Sequence, residues 1–408
     1  MKALVLAGGF PQIALIEELK SRGIFTILAD WNEEPVAKKY ADAYYQASTL
    51  DVEAITKIAK NEKVDFLITA CTDQALLTVA KVSEDLGLPC YIDYQTALNV
   101  TNKAYMKKVF EEHGISTAKH VVMAELDEDA IADMPYPLIV KPVDCNSSKG
   151  VKKVENIDEL KVAFEDAVRF SRTDTAIVER FIDGPEISVD IYVEDGKAKV
   201  LCISNNVKIS DKEKFVIFRG RCPAIETDAI RKPIERAAQQ IADAFGLKNT
   251  PMLIQFITDG KEVYVLEFSA RTGGGTKYLR INRMTGFDVI KAVVDLTLGI
   301  KPHVGEIDFN SSYLVDDFIY CNPGVFDHLE GFEELKENGY LTDYYLFKWK
   351  GAEFKGIESS GDRIAGFTVW ASTLDRLREK HRIVANNIRV IDKDGHDMMR
   401  HDLLPEVE

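Results

Sequence analysis

Short apolar runs alternating with amphipathic stretches open the chain: KALVLA, then IALIEELKSRG, then FTILAD, and later VDFLIT ahead of DQALLTVAKVSEDLG. Runs of this length read as buried strands and the longer stretches as helices. Their βαβ order predicts a parallel sheet flanked by helices. In TNKAYMKKVFEEHGI, Thr101 is placed to cap a helix that carries Tyr105, Met106, Val109 and Phe110 on one face and ends at Gly114.

PYPLIVKP reads as a short strand fenced by prolines, and DCNSSKGV as a small-residue loop after it. From Ile177 to Phe268 the pattern turns strand-rich: AIVERFI, EISVDIYVEDGKAKVLCIS and MLIQFITDGKEVYVLEF, with hairpins turned by EDGK and TDGK. One long helix, near Ala229 to Phe245, interrupts them. GFDVIKAVVDLTLG predicts a helix ending at Gly299, and Lys301-Pro302 opens a third region. There RIAGFTVWAS, TLDRLREKHRIVANN and IRVIDKDG follow as strand, helix and strand, an order that would complete a small sheet. The fold class is α/β and α+β multidomain: a Rossmann-like unit over residues 1–100, a central domain over 101–301 and a small α+β region over 302–408.

A length of 408 residues with 46% hydrophobic content suffices for two or three cores. A net charge of -15 without a dense Lys/Arg cluster argues against nucleic acid and favours a small-molecule partner. Six scattered cysteines (Cys71, Cys90, Cys145, Cys202, Cys222 and Cys321) form no CxxC pair, so neither a disulfide framework nor a zinc site of the usual spacing is suggested. A reducing, cytoplasmic location is expected. MKALVLAGGF is too short in apolar length for a signal peptide, and no run approaches ~18 apolar residues, so no membrane partner is expected.

Four segments carry candidate chemistry. Gly8-Gly9 with Asp30 invites a dinucleotide reading, but no third glycine completes G-x-G-x-x-G, and a tight turn accounts for the pair. The TDGK turn brings Gln255 beside the strand ending in EFSAR. Strict alternation there puts Val265, Glu267 and Ser269 on one face and Leu266 and Phe268 on the other. Thiol-free oxygen ligands suit Mg²⁺ or Mn²⁺ shared with substrate phosphates; a solvated hairpin face is the alternative. Lys103 in a first helical turn and Lys141 at a strand end both call for an anion, and phosphate is a natural one. The loop after Lys141 could turn backbone N–H groups inward as a nest, although G-x-x-x-x-G-K-[ST] is absent and a plain turn is the alternative. In VERFIDGPE, Glu179 and Glu186 flank a Gly-Pro turn. They suit an adenine amino group or ribose hydroxyls, or are simply two exposed acids.

In this order the segments from about residue 101 to 300 resemble the ATP-grasp superfamily. LVLAGG and ILAD resemble the preceding domain of its carbamoyl-phosphate-synthase-like and biotin-carboxylase-like branch. The resemblance implies a Rossmann-like pre-ATP-grasp domain and a two-lobed ATP-grasp domain, with lobes over about 101–175 and 176–301. It implies ATP phosphates on Lys103 and Lys141, and a loop of Ser147, Ser148 and Gly150 closing over them. Adenine would lie at Glu179, Arg180, Phe181 and Ile182, with Arg180 and Ile182 acting through backbone atoms, and ribose at Glu186. Gln255, Glu267 and Ser269 would stand at metal positions, and Arg271 near the transferred phosphoryl group. Two positions depart from the commonest pattern: Gln255 replaces an acid, and Ser269 stands where asparagine is usual.

The implied reaction transfers the γ-phosphoryl group of ATP to a small carboxylate, an amino acid or similar. An amine then attacks the acyl phosphate, which makes the chain a carboxylate-amine ligase. No Ser-His-Asp or Cys-His arrangement is evident. Arg219, Arg221, Gly273, Gly274 and Arg280 are candidate substrate contacts, and Gly275 completes the glycine run. Two alternatives stand: bicarbonate activation, and a nucleotide-binding module that has lost catalysis, which Ser269 keeps open. The architecture allows a homodimer.

Overall fold

The computed structural model describes residues 1–145, 150–209, 216–308 and 312–408. Residues Ala43–Gln46, Phe25–Asp30, Lys2–Leu6 and Phe66–Ile68 form, in that order, a wholly parallel sheet, as the βαβ pattern predicts. Ala3, Val5 and Leu28 pack on one face and Leu4, Leu6 and Ile27 on the other. Burial on both faces explains why these strands are unbroken apolar runs. Asp30 Oδ2 accepts from the Gly8 N–H at 2.7 Å, so the pair that looked like a dinucleotide signature closes a turn.

The helix Lys103–Glu112 starts one residue later than the sequence suggests. Asn102 Oδ1 caps it by accepting from Tyr105 N at 3.0 Å, while the Thr101 hydroxyl bonds back to Ala97 and Leu98. Met106, Val109 and Phe110 are buried, whereas Tyr105 is largely exposed. Four antiparallel strands follow, ordered His120–Met123, Ala176–Arg180, Leu138–Pro142 and Lys152–Val154. The strand Ala176–Arg180 therefore belongs to the first lobe's sheet, not to a second lobe beginning at 176, because both of its ladders run to first-lobe strands.

The large sheet has eight strands, in order Val263–Ser269, Thr250–Thr258, Glu186–Glu194, Lys197–Lys208, Ile217–Cys222, Tyr313–Ile319, Ala365–Ala371 and Asp343–Leu346. A boundary near residue 302 thus cuts a continuous sheet: Ile217–Cys222 pairs with Tyr313–Ile319, with Arg219 opposite Asp317. The two strands expected to complete one small sheet separate. Ala365–Ala371 joins the large sheet, and Arg389–Asp392 pairs with Gly324–Glu330 in a three-stranded one. No helix among the described residues is long and apolar enough to cross a membrane.

Alternation along Glu186–Glu194 determines what each face of the large sheet does. Ile187, Val189, Ile191 and Val193 pack with Ile230, Ile234 and Ile241 of the helix Thr227–Ala244. Glu186, Ser188, Asp190 and Tyr192 point to the opposite face, toward the helices Lys277–Thr285 and Val289–Thr297. Phe268 joins the lobes by packing 6.1 Å from Phe110 and 4.6 Å from Phe245, centroid to centroid. Burying such a ring contributes roughly 1.5–3 kcal/mol. That packing sets the helix bearing Lys103 beside the strand bearing Glu267.

Candidate active site

A β-bulge aims the site. Gln255 is opposite Glu267 in the hairpin ladder, yet Phe256 is opposite Val265, which leaves Leu266 as an extra residue. The bulge reverses the alternation. Val265 lies in the core with Phe268 and Ala270, so Val265 does not share a face with Glu267 and Ser269 as strict alternation predicts. Without the extra residue, Glu267 would point into the core with Val265.

Glu267 meets Lys103 at 3.1 Å, and Lys103 Nζ also donates to Cys145 O at 2.7 Å. Lys141 meets Glu179 Oε2 at 2.7 Å, and Lys107, one helical turn beyond Lys103, meets Glu179 Oε1 at 2.6 Å. Three ammonium groups against two carboxylates leave one net positive charge. Burial alone would raise the Glu179 carboxyl, but Lys107 and Lys141 outweigh it and hold it down to about 2. Burial likewise opposes ionisation of Glu267, and Lys103 and Lys141 still keep its carboxyl below the usual range. Lys107 shows the reverse balance: burial pulls its ammonium down more than Glu179 raises it.

These contacts revise the part given to Glu179. Its carboxylate is buried between two lysines and has no reach toward an adenine amino group. The backbone N–H groups of Arg180 and Phe181 are also taken, by Lys119 O at 2.9 Å and Pro137 O at 3.2 Å. Phe181 supports Lys153 Nζ, 4.5 Å from its ring centroid, and Ile182 follows just past the strand end. Glu186 Oε1 accepts from Asn206 Nδ2 at 2.8 Å and from Gln255 Nε2 at 3.0 Å, and its other oxygen pairs with Lys208. Ser147 and Ser148 lie outside the described residues. Gly150 has φ +73°, and a Cβ there would stand 2.9 Å from Pro142 Cγ and Phe170 Cδ2.

The donor set fits a magnesium ion that shares its shell with phosphates and water, and fits a protein-only cage poorly. Glu267 supplies a partly exposed carboxylate, and Gln255, its amide nitrogen on Glu186, leaves its oxygen as a ligand. Ser269 hydrogen-bonds Asp73 instead. Among the described residues no three His, Cys, Asp or Glu side chains group to hold a metal.

The residues beyond Ser269 divide. Arg271 grips Asp73 of the N-terminal domain, with Nε at 2.8 Å from Oδ1 and the second guanidinium nitrogen on Oδ2, and donates to Thr272 O at 2.8 Å. It reaches the site as half of an interdomain ion pair. Gly274 is exposed beside Cys71 O, whereas Gly273 is buried against Lys277.

Arg219, Arg221 and Arg280 are placed away from Glu267 and the lysines. Arg219 forks onto Asp317 with both nitrogens at 2.7 Å, beside His381, on the sheet face opposite Glu186 and Ser188. Arg221 shares that opposite face, because Gly220 between them lies against Arg280. Arg280 is buried between Asp190 at 3.4 Å and Asp316 at 3.5 Å. Nothing local in FRGRC shows which face of the sheet the two arginines take. Arg219→Ala is expected to destabilise the fold by about 3 kcal/mol in urea unfolding, since buried Asp317 would lose its guanidinium partner and keep His381. The nucleotide affinity of the folded fraction should stay unchanged.

The sequence reading passed over Lys107, Asp73 and Lys277. Lys107 was legible as a lysine between Met106 and Phe110 on the buried side of its helix. Asp73 carries no local signal, since its partner lies 198 residues away. A cavity of about 430 Å³ between the helices Phe10–Ser21 and Lys277–Thr285 and the strand Asp343–Leu346 is lined by Tyr278, Arg280 and Thr368 but by none of the lysines discussed or Glu267.

The ATP-grasp domain family matches residues 134–278, from just before the strand of Lys141 to the helix after the glycines. The carbamoyl-phosphate synthase of Methanobrevibacter smithii is 23% identical over 326 residues, 77% of this chain and 86% of that protein. A D-alanine–D-alanine ligase of Flavobacterium johnsoniae is 29% identical over 206 residues, 48% of this chain and 63% of the ligase. Other relatives are much longer, and the chain spans 16% and 25% of two of them. The crystal structure of L-amino acid ligase from Bacillus licheniformis superposes with a TM-score of 0.79 at 22% identity, over 96% of this chain and 99% of that one, which shows a common fold. Residues 134–278 match the ATP-grasp domain family, and the chain as a whole shares the fold of the ligase structure.

Proposed function

We propose that this protein is an ATP-dependent carboxylate-amine ligase. It would phosphorylate a small carboxylate, an amino acid or similar acid, and couple the acyl phosphate to an amine, releasing ADP and phosphate. The observation that carries the reading is the meeting of Lys103 and Lys141, both largely buried, with the ionised Glu267 at the bulged strand end. Phosphoryl transfer asks for positioning and charge neutralisation more than for covalent help. Lys103 and Lys141 would hold phosphate oxygens, and Glu179 fixes Lys107 and Lys141 in place.

Mg²⁺ bound with ATP would supply further charge neutralisation at the phosphates, with Glu267 and the Gln255 oxygen as the residues to hold it. Arg271, already oriented by Asp73, would face the acid. The relatives carry the same chemistry in their names: an L-amino acid ligase and a D-alanine–D-alanine ligase. The test is a screen of amino acids, singly and in pairs, for ADP release with mass detection of the coupled product. Substrate-dependent ADP release is expected. ATP binding without any acid-dependent turnover would sink the reading, and bicarbonate-dependent turnover with no organic acid would replace it by carboxyphosphate formation.

A further inference from the structure

Beneath the glycine loop lies Lys277, the first residue of the helix Lys277–Thr285. Its stem fills the space a side chain at position 273 would need. A Cβ built on Gly273 would stand 2.2 Å from Lys277 Cδ and 3.2 Å from Asp190 Oδ1. Glycine at 273 therefore makes room for the lysine, whose Nζ donates to Ser188 Oγ. Ser188 and Asp190 are buried on the strand Glu186–Glu194, and Asp190 Oδ1 has no hydrogen-bond partner among the described residues. A buried carboxylate oxygen left without a donor is costly and asks for a functional reason.

We propose that Lys277 is the base that takes the proton from the amine as it attacks the acyl phosphate, a role that rests on the ligase reading. The amine nitrogen bonds to the acyl carbon, the bond from that carbon to the phosphate oxygen breaks, and phosphate leaves with the electron pair. The proton shed by nitrogen passes to the neutral Nζ of Lys277. Asp190 Oδ1 and Ser188 Oγ then hold the ammonium so formed, which gives the unpartnered oxygen its donor.

The surroundings suit this task. Burial pulls the Lys277 ammonium down to about 8; Asp190 and Glu186 of the neighbouring strand push it up, and Arg280 of its own helix and Arg271 of the loop push it down. Cys71, the group facing it from the N-terminal domain, stays a neutral thiol, pushed up to about 12 by burial. A base poised near the working pH combines availability with proton affinity. Lys277 stands eight positions after Ser269, with Arg271 and the exposed Gly274 between them.

The test separates the two half-reactions. Proteinogenic amino acids are offered with ATP and Mg²⁺, first with hydroxylamine as nucleophile and then with one another as amines. Hydroxylamine is uncharged at neutral pH and traps an acyl phosphate as hydroxamate without help from a lysine. Lys277→Met and Lys277→Arg are both expected to lower amide formation about 100-fold, with hydroxamate formation falling less than about threefold and the wild-type pH limb near 8 lost. Hydroxamate falling in step with amide, or arginine restoring both, would make Lys277 an anion holder and overturn the proposal. Wild-type amide rates in both variants would also overturn it and give the base role to the departing phosphate. A wild-type protein that forms no hydroxamate from any acid would remove the ligase reading and this role together, whereas hydroxamate with unaffected variants removes the lysine's role alone.

Discussion

Glu267→Gln is expected to lower ADP formation at saturating ATP and substrate by about 10²- to 10³-fold, with ATP still bound. Glutamine keeps the shape but removes the charge that faces Lys103 at 3.1 Å. The cluster of three lysines then carries two net positive charges instead of one, so nucleotide phosphates lose no attraction. The lost quantity is the anionic ligand for the ion that accompanies ATP, and the Mg²⁺ concentration needed for half-maximal rate should rise. Isothermal titration with ATP and a coupled ADP assay separate the effects. Unchanged turnover in this variant would favour a nucleotide-binding module over an enzyme.

The second large effect is on stability. Glu179→Gln is expected to cost about 3–5 kcal/mol, because Lys107 and Lys141 would both be left in a buried site without their shared carboxylate. The pH dependence gives an independent check. The Glu179 carboxyl is held down to about 2 from an ordinary 4.5. Its contribution is therefore fully present above about pH 4.5 and is lost as pH falls through 2. Urea midpoints measured between pH 7 and 3 should fall more steeply for the wild type than for the variant. Parallel curves, or a variant as stable as the wild type at pH 7, would contradict the assignment of Glu179 as the anchor of the lysines.

Much of the fold was legible because it rests on local periodicity. The parallel sheet at the N-terminus, the helix bearing Lys103 and the hairpin at TDGK each follow from patterns within a dozen residues. Errors arose where one residue or one long-range pairing decides. A single extra residue, Leu266, reverses the faces of the catalytic strand, and nothing in VYVLEFS marks it. The strand Ala176–Arg180 and the strand Ala365–Ala371 were recognised as strands and assigned to the wrong neighbours, because ladder partners are chosen by the whole chain.

The order of the segments resembled the ATP-grasp superfamily, and residue types by themselves favoured a small-molecule partner and singled out Lys103, Lys141, Gln255 and Glu267. These follow from chemistry that side chains carry wherever they stand: ammonium groups seek anions, and carboxylate and amide oxygens seek hard cations. Tertiary structure alone decided which charges are already neutralised. It gave Glu179 to two lysines, Arg271 to Asp73, Arg219 to Asp317 and Arg280 to a pair of aspartates, and it set Lys277 beside the Asp190 oxygen that has no hydrogen-bond partner among the described residues. Ion pairing depends on separations of about 4 Å between atoms that, for Arg271 and Asp73, stand 198 residues apart in the chain. Sequence spacing carries no information at that range.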